Sequence, residues 1–425
     1  MNPPVPGKPS PLGINRQRWL ILVLLGLVDL IVLALFGALV LPGWLSLRAK
    51  ATLLPSPTLV QTSLQDEIVN SPSPPLPSLS PTPFEPTDTP IPLSPLPTAS
   101  SSITATCVIT ASGGLGSEIY DIVQGMPGPD SNGMVIPTDA RMATWETLVK
   151  AIADGDRVAA CNLIQGNGFP YHLVHFTDVR DNNASYWILK EDAPVSVGWG
   201  TTVIRVGGVF TDVVVEVPHP VGDWRTDPEG VAIFRGLKAR ALLVAGAHRC
   251  TDSAYSPCGG STVVCGKLEP YRASDVAHSP QTMFQAAHRA LVPCGGITVA
   301  LQLHANSLAG CPDLFISNGT LLPGRLADRL SQHATMACSA ITVDIADGVQ
   351  PECGFTGGSN VQGLYSNGCA ASPPSEACST GLTRPANPEQ FIMLEQSTAL
   401  RNDYACLVEA LKETFNPFLP SNEPR

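Results

Sequence analysis

Between residues 226 and 415 short apolar runs alternate with amphipathic helical patterns, and that alternation admits few architectures. ALLVAG (241–246), GITVALQLH (296–304) and QFIMLE (390–395) read as strands. PEGVAIFRGLKAR (228–240), SPQTMFQAAHRALV (279–292), GRLADRLSQHATMA (324–337) and TALRNDYACLVEALKETF (398–415) repeat apolar residues at helical spacing. Upstream, ASYWILKE (184–191) and GTTVIRV (200–206) form an early β pair, followed by the β-branched run VVVEV (213–217). Strand alternating with helix predicts an α/β fold whose central sheet carries helices on both faces, and the early pair makes that sheet mixed. This domain is assigned to 184–425. Residues 104–183 show no clear period and are expected to form an adjoining cap or accessory region.

The first 103 residues are of another kind. Trp19–Leu41 is 23 residues long with one charge, Asp29, which is enough to span a bilayer as a helix. Lys8, Arg16 and Arg18 lie in the 1–18 segment before it, so this end is expected to be cytoplasmic and the remainder outside. A cleaved signal peptide is the alternative, although the run is long for one and no clear cleavage motif follows. Residues 42–103 form a Pro/Ser/Thr-rich linker. Residues 51–102 alone hold 13 of the 41 prolines, too little apolar periodicity for a core and enough proline for an extended spacer.

All twelve cysteines fall between Cys107 and Cys406. In an exported chain they are expected to pair, and local pairs such as Cys258 with Cys265 or Cys369 with Cys378 fit the spacing. No C-x-x-C occurs, which disfavours a zinc ribbon or a thioredoxin-like site. The net charge of −11 argues against nucleic acid as a partner. The expected place is the cell membrane, single-pass, with the folded part outside, or secreted if the leader is cleaved. Oligomeric state is not legible.

Several strands end on residues that can do chemistry, at the edge where α/β sheets bind ligands. His219 follows VVVEV, His304 ends GITVALQLH and Glu395 ends QFIMLE. Glu229 opens the helix after His219, where Thr226-Asp227-Pro228-Glu229 reads as a cap followed by proline in the first turn. Two histidines and a carboxylate can hold Zn²⁺ with one position left open, and a free carboxylate can then act as general base. The expected ligands are His219, Glu229 and His304, with Glu395 as base. Asp223 and Asp227 are the alternative acids to Glu229.

This order of residues resembles the zinc carboxypeptidase and zinc amidase group. LQLHANS (301–307) is similar to the strand-end motif of N-acetylmuramoyl-L-alanine amidases, and FIMLEQSTALRND (391–403) to their final strand with its catalytic Glu. VPHPVGDWRTDPEG departs from that pattern and is nearer in spacing to poly-γ-glutamate hydrolases and N-formylglutamate or succinylglutamate hydrolases. Within that group an arginine after the second core strand often holds a substrate carboxylate. ALLVAGAHRCTD (241–252) puts Arg249 there, with a structural ion pair as the alternative role, and His248 beside it.

Other residues stand out less. Asp275, His278 and His288 could line the site, but buried structural histidines are commoner. Two N-x-S/T sequons, at Asn183 and Asn318, are frequent chance matches, and no G-x-S-x-G elbow supports a serine hydrolase. The sequence thus predicts a membrane-tethered, zinc-dependent amidohydrolase or carboxypeptidase-like peptidase. Its expected substrate is a peptide, a γ-glutamyl polymer or a cell-wall peptide. The rival is an inactive binding or structural module of the same fold.

Overall fold

Val213, Val214 and Val215 are consecutive and all fully buried, which only a strand covered on both faces allows. Val213, Val215 and Val217 join one apolar cluster, and Val214 joins a second one across the sheet. Each such side chain contributes roughly 1.5–3 kcal/mol of transfer free energy. The structure is a computed structural model describing residues 107–320, 322, 324–346, 353–369, 378 and 389–416. The 19–41 run and the 42–103 linker lie outside these residues. Among the described residues no helix is long and apolar enough to cross a membrane.

The strands are β1 (Val108–Gly113), β2 (Tyr171–Asp178), β3 (Ala184–Glu191), β4 (Thr201–Arg205), β5 (Thr211–Val217) and β6 (Ala239–Val244). After a two-residue pair, β7 (Ser261–Thr262) with β8 (Glu269–Pro270), come β9 (Val299–Ala305), β10 (Leu314–Ser317), β11 (Val343–Ile345) and β12 (Phe391–Gln396). Ten of them form one mixed sheet in the order β1-β2-β3-β4-β6-β5-β9-β12-β10-β11. Its centre, β6-β5-β9-β12, is parallel, so these four strands point their carboxyl ends at one edge.

The helices are α1 (Leu115–Gln124), α2 (Asp139–Ala153), α3 (Arg157–Gly166), α4 (Thr226–Gly236), α5 (Met283–Leu291), α6 (Arg325–Ala337), α7 (Val361–Gly368), α8 (Thr398–Asn402) and α9 (Ala405–Phe415). Apolar residues of α1, α4, α6 and α9 pack on one face of the sheet, and those of α2, α3 and α5 on the other. The mixed sheet with helices on both faces is thus as the pattern predicts.

Two expectations need correction. Within the region expected as a cap, residues 107–183 do not adjoin the sheet but build it, because β1 and β2 extend its edge and Leu173 and Val174 lie in its two cores. The 398–415 helix is two helices, with Asp403 at ψ 72° closing α8 and Tyr404 starting α9.

The twelve cysteines form six disulfides: Cys107–Cys161, Cys250–Cys265, Cys258–Cys378, Cys294–Cys369, Cys311–Cys353 and Cys338–Cys406. The local pairs Cys258–Cys265 and Cys369–Cys378 do not form, because Cys250 takes Cys265 and the long-range bridges take the others.

Candidate metal centre

His219 stands just past β5, and the chain turns at once. The Asp223 N–H donates to the His219 carbonyl at 2.7 Å, an i to i+4 bond that makes one helical turn. Residues four apart on such a turn share a side. Asp223 therefore faces His219, with Oδ2 at 3.3 Å from Nδ1. From β9, the neighbouring strand along the sheet edge, His304 brings its Nδ1 to 3.6 Å from the same Oδ2. One ligand atom from each of the three residues lies within 4.8 Å of the others, and all three residues are buried. Tetrahedral zinc with bonds near 2.0–2.1 Å needs ligand atoms about 3.3 Å apart, so small adjustments complete the set.

Hydrogen bonding fixes which nitrogens are free. His219 Nε2 lies 2.8 Å from Asp275 Oδ1, and His304 Nε2 lies 2.7 Å from Gln302 Oε1. A carboxylate and an amide oxygen only accept, so both Nε2 atoms carry the proton. Both Nδ1 lone pairs then point at a carboxylate. Acceptors facing acceptors need a cation between them. Arg249 supplies positive charge here, with Nη2 donating to Asp223 Oδ1 at 2.5 Å and to His219 Nδ1. The donor set, two neutral imidazoles and one carboxylate with carboxylate or amide partners behind the rings, suits a divalent ion of the zinc type.

Electrostatics keep these groups in ligating form. Burial pushes His304 down to about 4, against the pull of Asp223. Burial opposes ionisation of Asp223, yet the Arg249 guanidinium beside it holds its carboxyl well below the usual range. The same opposition, won by His278 and His219, keeps Asp275 low.

Glu229 is not part of this cluster. It sits on the inward face of α4, where Gln396 Nε2 donates to its Oε2 at 3.2 Å and its Oε1 has no hydrogen-bond partner among the described residues. Burial raises it to about 8, so it is a neutral carboxyl at pH 7 and a poor ligand. The helix start was legible, but its cap is different. Arg225 at φ 71° precedes the first turn, and the Thr226 hydroxyl donates back to the Asp223 carbonyl. Asp227 also stays outside the cluster; burial raises it to about 6.

Glu395 pairs in register with His304 across β12 and β9. Its residue keeps some contact with solvent, whereas burial of the carboxyl, followed by the Asp223 charge, pushes it well above the usual range. A cavity of about 280 Å³ opens beside the cluster, lined by Asp223, Trp224, His248, Arg249, Asn306 and Arg401 among others. Arg401 is buried and holds the Gln396 carbonyl at 3.0 Å. Sequence reasoning passed over Gln302 and Arg401, and gave Asp275 no definite role. For Gln302 a signal existed: a lone amide two residues before His304, on the same face of an otherwise apolar strand.

No known family model matches the sequence, and no curated protein matches it. Among solved structures, the chain is similar to N-formylglutamate amidohydrolase from Ralstonia eutropha JMP134, at 15% identity and a TM-score of 0.29, over 52% of this chain and 99% of that one. It is also similar to a bacteriophage poly-γ-glutamate hydrolase, at 15% identity and a TM-score of 0.28, over 52% of this chain and 91% of that one. A metallo-carboxypeptidase from Burkholderia cenocepacia matches at 12% identity and a TM-score of 0.28, over 61% of this chain and 68% of that one. These belong to the groups that the sequence motifs resemble, and the reading of the site rests on its own geometry.

Proposed function

We propose that the folded part is a zinc-dependent hydrolase that cleaves an amide bond, with His219, Asp223 and His304 as ligands. One observation carries this reading: two histidines, each with its Nε2 proton committed, turn the Nδ1 lone pair toward one carboxylate, with Arg249 donating to that of His219. When bound, zinc supplies Lewis acidity toward the amide carbonyl and the attacking water. Asp275 orients the His219 imidazole. Glu395 takes the proton of the water and returns it to the leaving amine, a task suited to a carboxyl held above its ordinary range. Arg249 and Arg401 line the cavity and favour an anionic substrate group, since a guanidinium fork matches a carboxylate. A peptide, γ-glutamyl or cell-wall peptide with a free carboxylate meets these demands. Six disulfides support an exported location, and the 19–41 run supports a membrane tether.

The test is amine release from γ-glutamyl, stem-peptide and C-terminal peptide amides by the full oxidised chain, with and without chelator. Release that chelator stops and zinc restores is the expected result. A chain that holds zinc and cleaves none of these amides would instead be a binding module.

A further inference from the structure

Gln302 lies between the candidate ligand His304 and a buried polar network that no step of the proposed reaction uses. Gln302, Glu216 and Gln362 have no exposed surface, and Asn360 is 2% exposed. An amide's oxygen and nitrogen are hard to tell apart by position, so their assignment has to come from neighbours of fixed character. The backbone supplies two such anchors.

The first anchor is the start of α7. The N–H groups of Gln362 and Gly363 both donate to Asn360 Oδ1 at 3.0 Å, capping the helix. The other end of that amide must then be the NH₂ group, which donates to Gln302 Oε1. The second anchor is the Val276 carbonyl, which accepts from Gln362 Nε2 at 3.0 Å. Gln362 Oε1 is therefore free to accept from Gln302 Nε2, at 3.2 Å. Glu216, the cross-strand partner of Gln302, agrees: its Oε2 accepts from Gln302 Nε2 at 3.0 Å, while its Oε1 pairs with His288 at 2.7 Å. A reversed Gln302 amide would set donor against donor at Asn360 and acceptor against acceptor at Glu216 and Gln362. The three anchors allow one orientation.

We propose that Gln302 is a positioning residue that sets the tautomer of His304, holding its proton on Nε2 so that Nδ1 is free for the metal. This rests on the reading of His304 as a ligand. Without the Gln302 acceptor, the His304 proton has a better place, because the Asp223 carboxylate stands 3.6 Å from Nδ1. The imidazole would then protonate Nδ1 and present no lone pair to the centre. The network thus prevents the candidate ligands from satisfying one another.

The experiment compares the wild-type full chain with Gln302→Met, which keeps length and removes the acceptor. Two readouts are taken. One is the ¹⁵N imidazole spectrum of the metal-free, ¹⁵N-histidine-labelled protein, with the His304 signals assigned by their loss in His304→Gln. The other is zinc affinity by competition with a chromophoric chelator. Wild type should show the Nε2–H tautomer; Gln302→Met should shift to Nδ1–H and bind zinc about 10–100-fold more weakly, as loss of a partner behind a ligand does. Gln302→Glu, which keeps an acceptor for His304, should retain the Nε2–H form. Should Gln302→Met fail to fold, the wild-type spectrum alone still tests the role, because a wild-type His304 that carries its proton on Nδ1 would overturn it. An unchanged tautomer with unchanged affinity would overturn the role of Gln302. A wild-type chain that binds no zinc would instead overturn the proposed function, and the tautomer readout would still decide the role of Gln302.

Discussion

His304 and Glu395 stand side by side in register on the parallel strands β9 and β12. A ligand and a proton carrier on adjacent strands can serve one reacting centre without either moving the other. Glu395→Gln should therefore keep its zinc and lose turnover by about 10²–10⁴-fold, the usual worth of a general base. His304→Ala should lose both. Metal content and amide hydrolysis measured together on the two variants check this. Loss of zinc from Glu395→Gln would make Glu395 a ligand, and unchanged hydrolysis would remove it from the mechanism.

Glu229 gives a pH signature. Burial raises it from an ordinary 4.5 to about 8, so the folded state keeps a proton that the unfolded chain releases above 4.5. Its contribution to stability is full below 4.5 and is lost as pH rises through about 8. Glu229→Gln mimics the protonated form at every pH. Urea unfolding should show the variant close to wild type at pH 4.5. At pH 9 it should be more stable than wild type by a few kcal/mol, since each tenfold change in proton affinity is worth about 1.4 kcal/mol. Equal stability at pH 9 would mean that Glu229 is ionised in the fold.

The contrast between Glu229 and Asp223 shows what a sequence can reveal here. His219, His304 and Glu395 are legible because each closes an apolar run, and the α/β pattern says that strand ends meet at one edge. Glu229 attracts attention for its place in a helix's first turn, but the face of α4 that carries it packs inward against Gln396. Asp223, which the sequence offers only as an alternative acid, is presented by a local turn in which its own N–H bonds the His219 carbonyl, and no apolar period marks that turn. Asp275 reaches His219 from 56 residues away, a distance that no local pattern spans. Residues 107–178 show the same limit at the level of fold. β1 and β2 are paired in parallel across three helices, and partly exposed positions on β1 blur the alternation that marks a strand.

Arg249 donates to Asp223 and to His219 Nδ1, the groups a metal would use. Guanidinium and metal therefore compete. Arg249→Met should bind zinc more tightly than wild type, by roughly 10–100-fold, since one charge-assisted bond is worth roughly 1.5–3 kcal/mol and each 1.4 kcal/mol is tenfold. The same variant should raise KM for a carboxylate-bearing substrate. Chelator competition and steady-state kinetics measure the two effects. A tenfold loss of zinc affinity would show that Arg249 supports the ligands instead.

The Cys250–Cys265 disulfide closes a loop with a sequence separation of 15, beginning next to Arg249 and ending next to Val264, both of which line the cavity. Replacing both cysteines with serine should cost about 3 kcal/mol of stability through the freed unfolded chain. It should also weaken substrate binding more than zinc binding, because Asp223 and both histidines lie outside the loop. Denaturant midpoints and KM values test this; an unchanged midpoint would mean that the bridge adds no constraint.

The central claim is that His219, Asp223 and His304 together hold one divalent ion. Its most direct measurement is the metal content of the full chain, purified oxidised and equilibrated with zinc, in wild type, Asp223→Asn and Glu229→Gln. The account predicts about one equivalent in wild type and in Glu229→Gln, and little in Asp223→Asn, because two neutral imidazoles alone hold zinc poorly. Zinc retained by Asp223→Asn and lost from Glu229→Gln would contradict it.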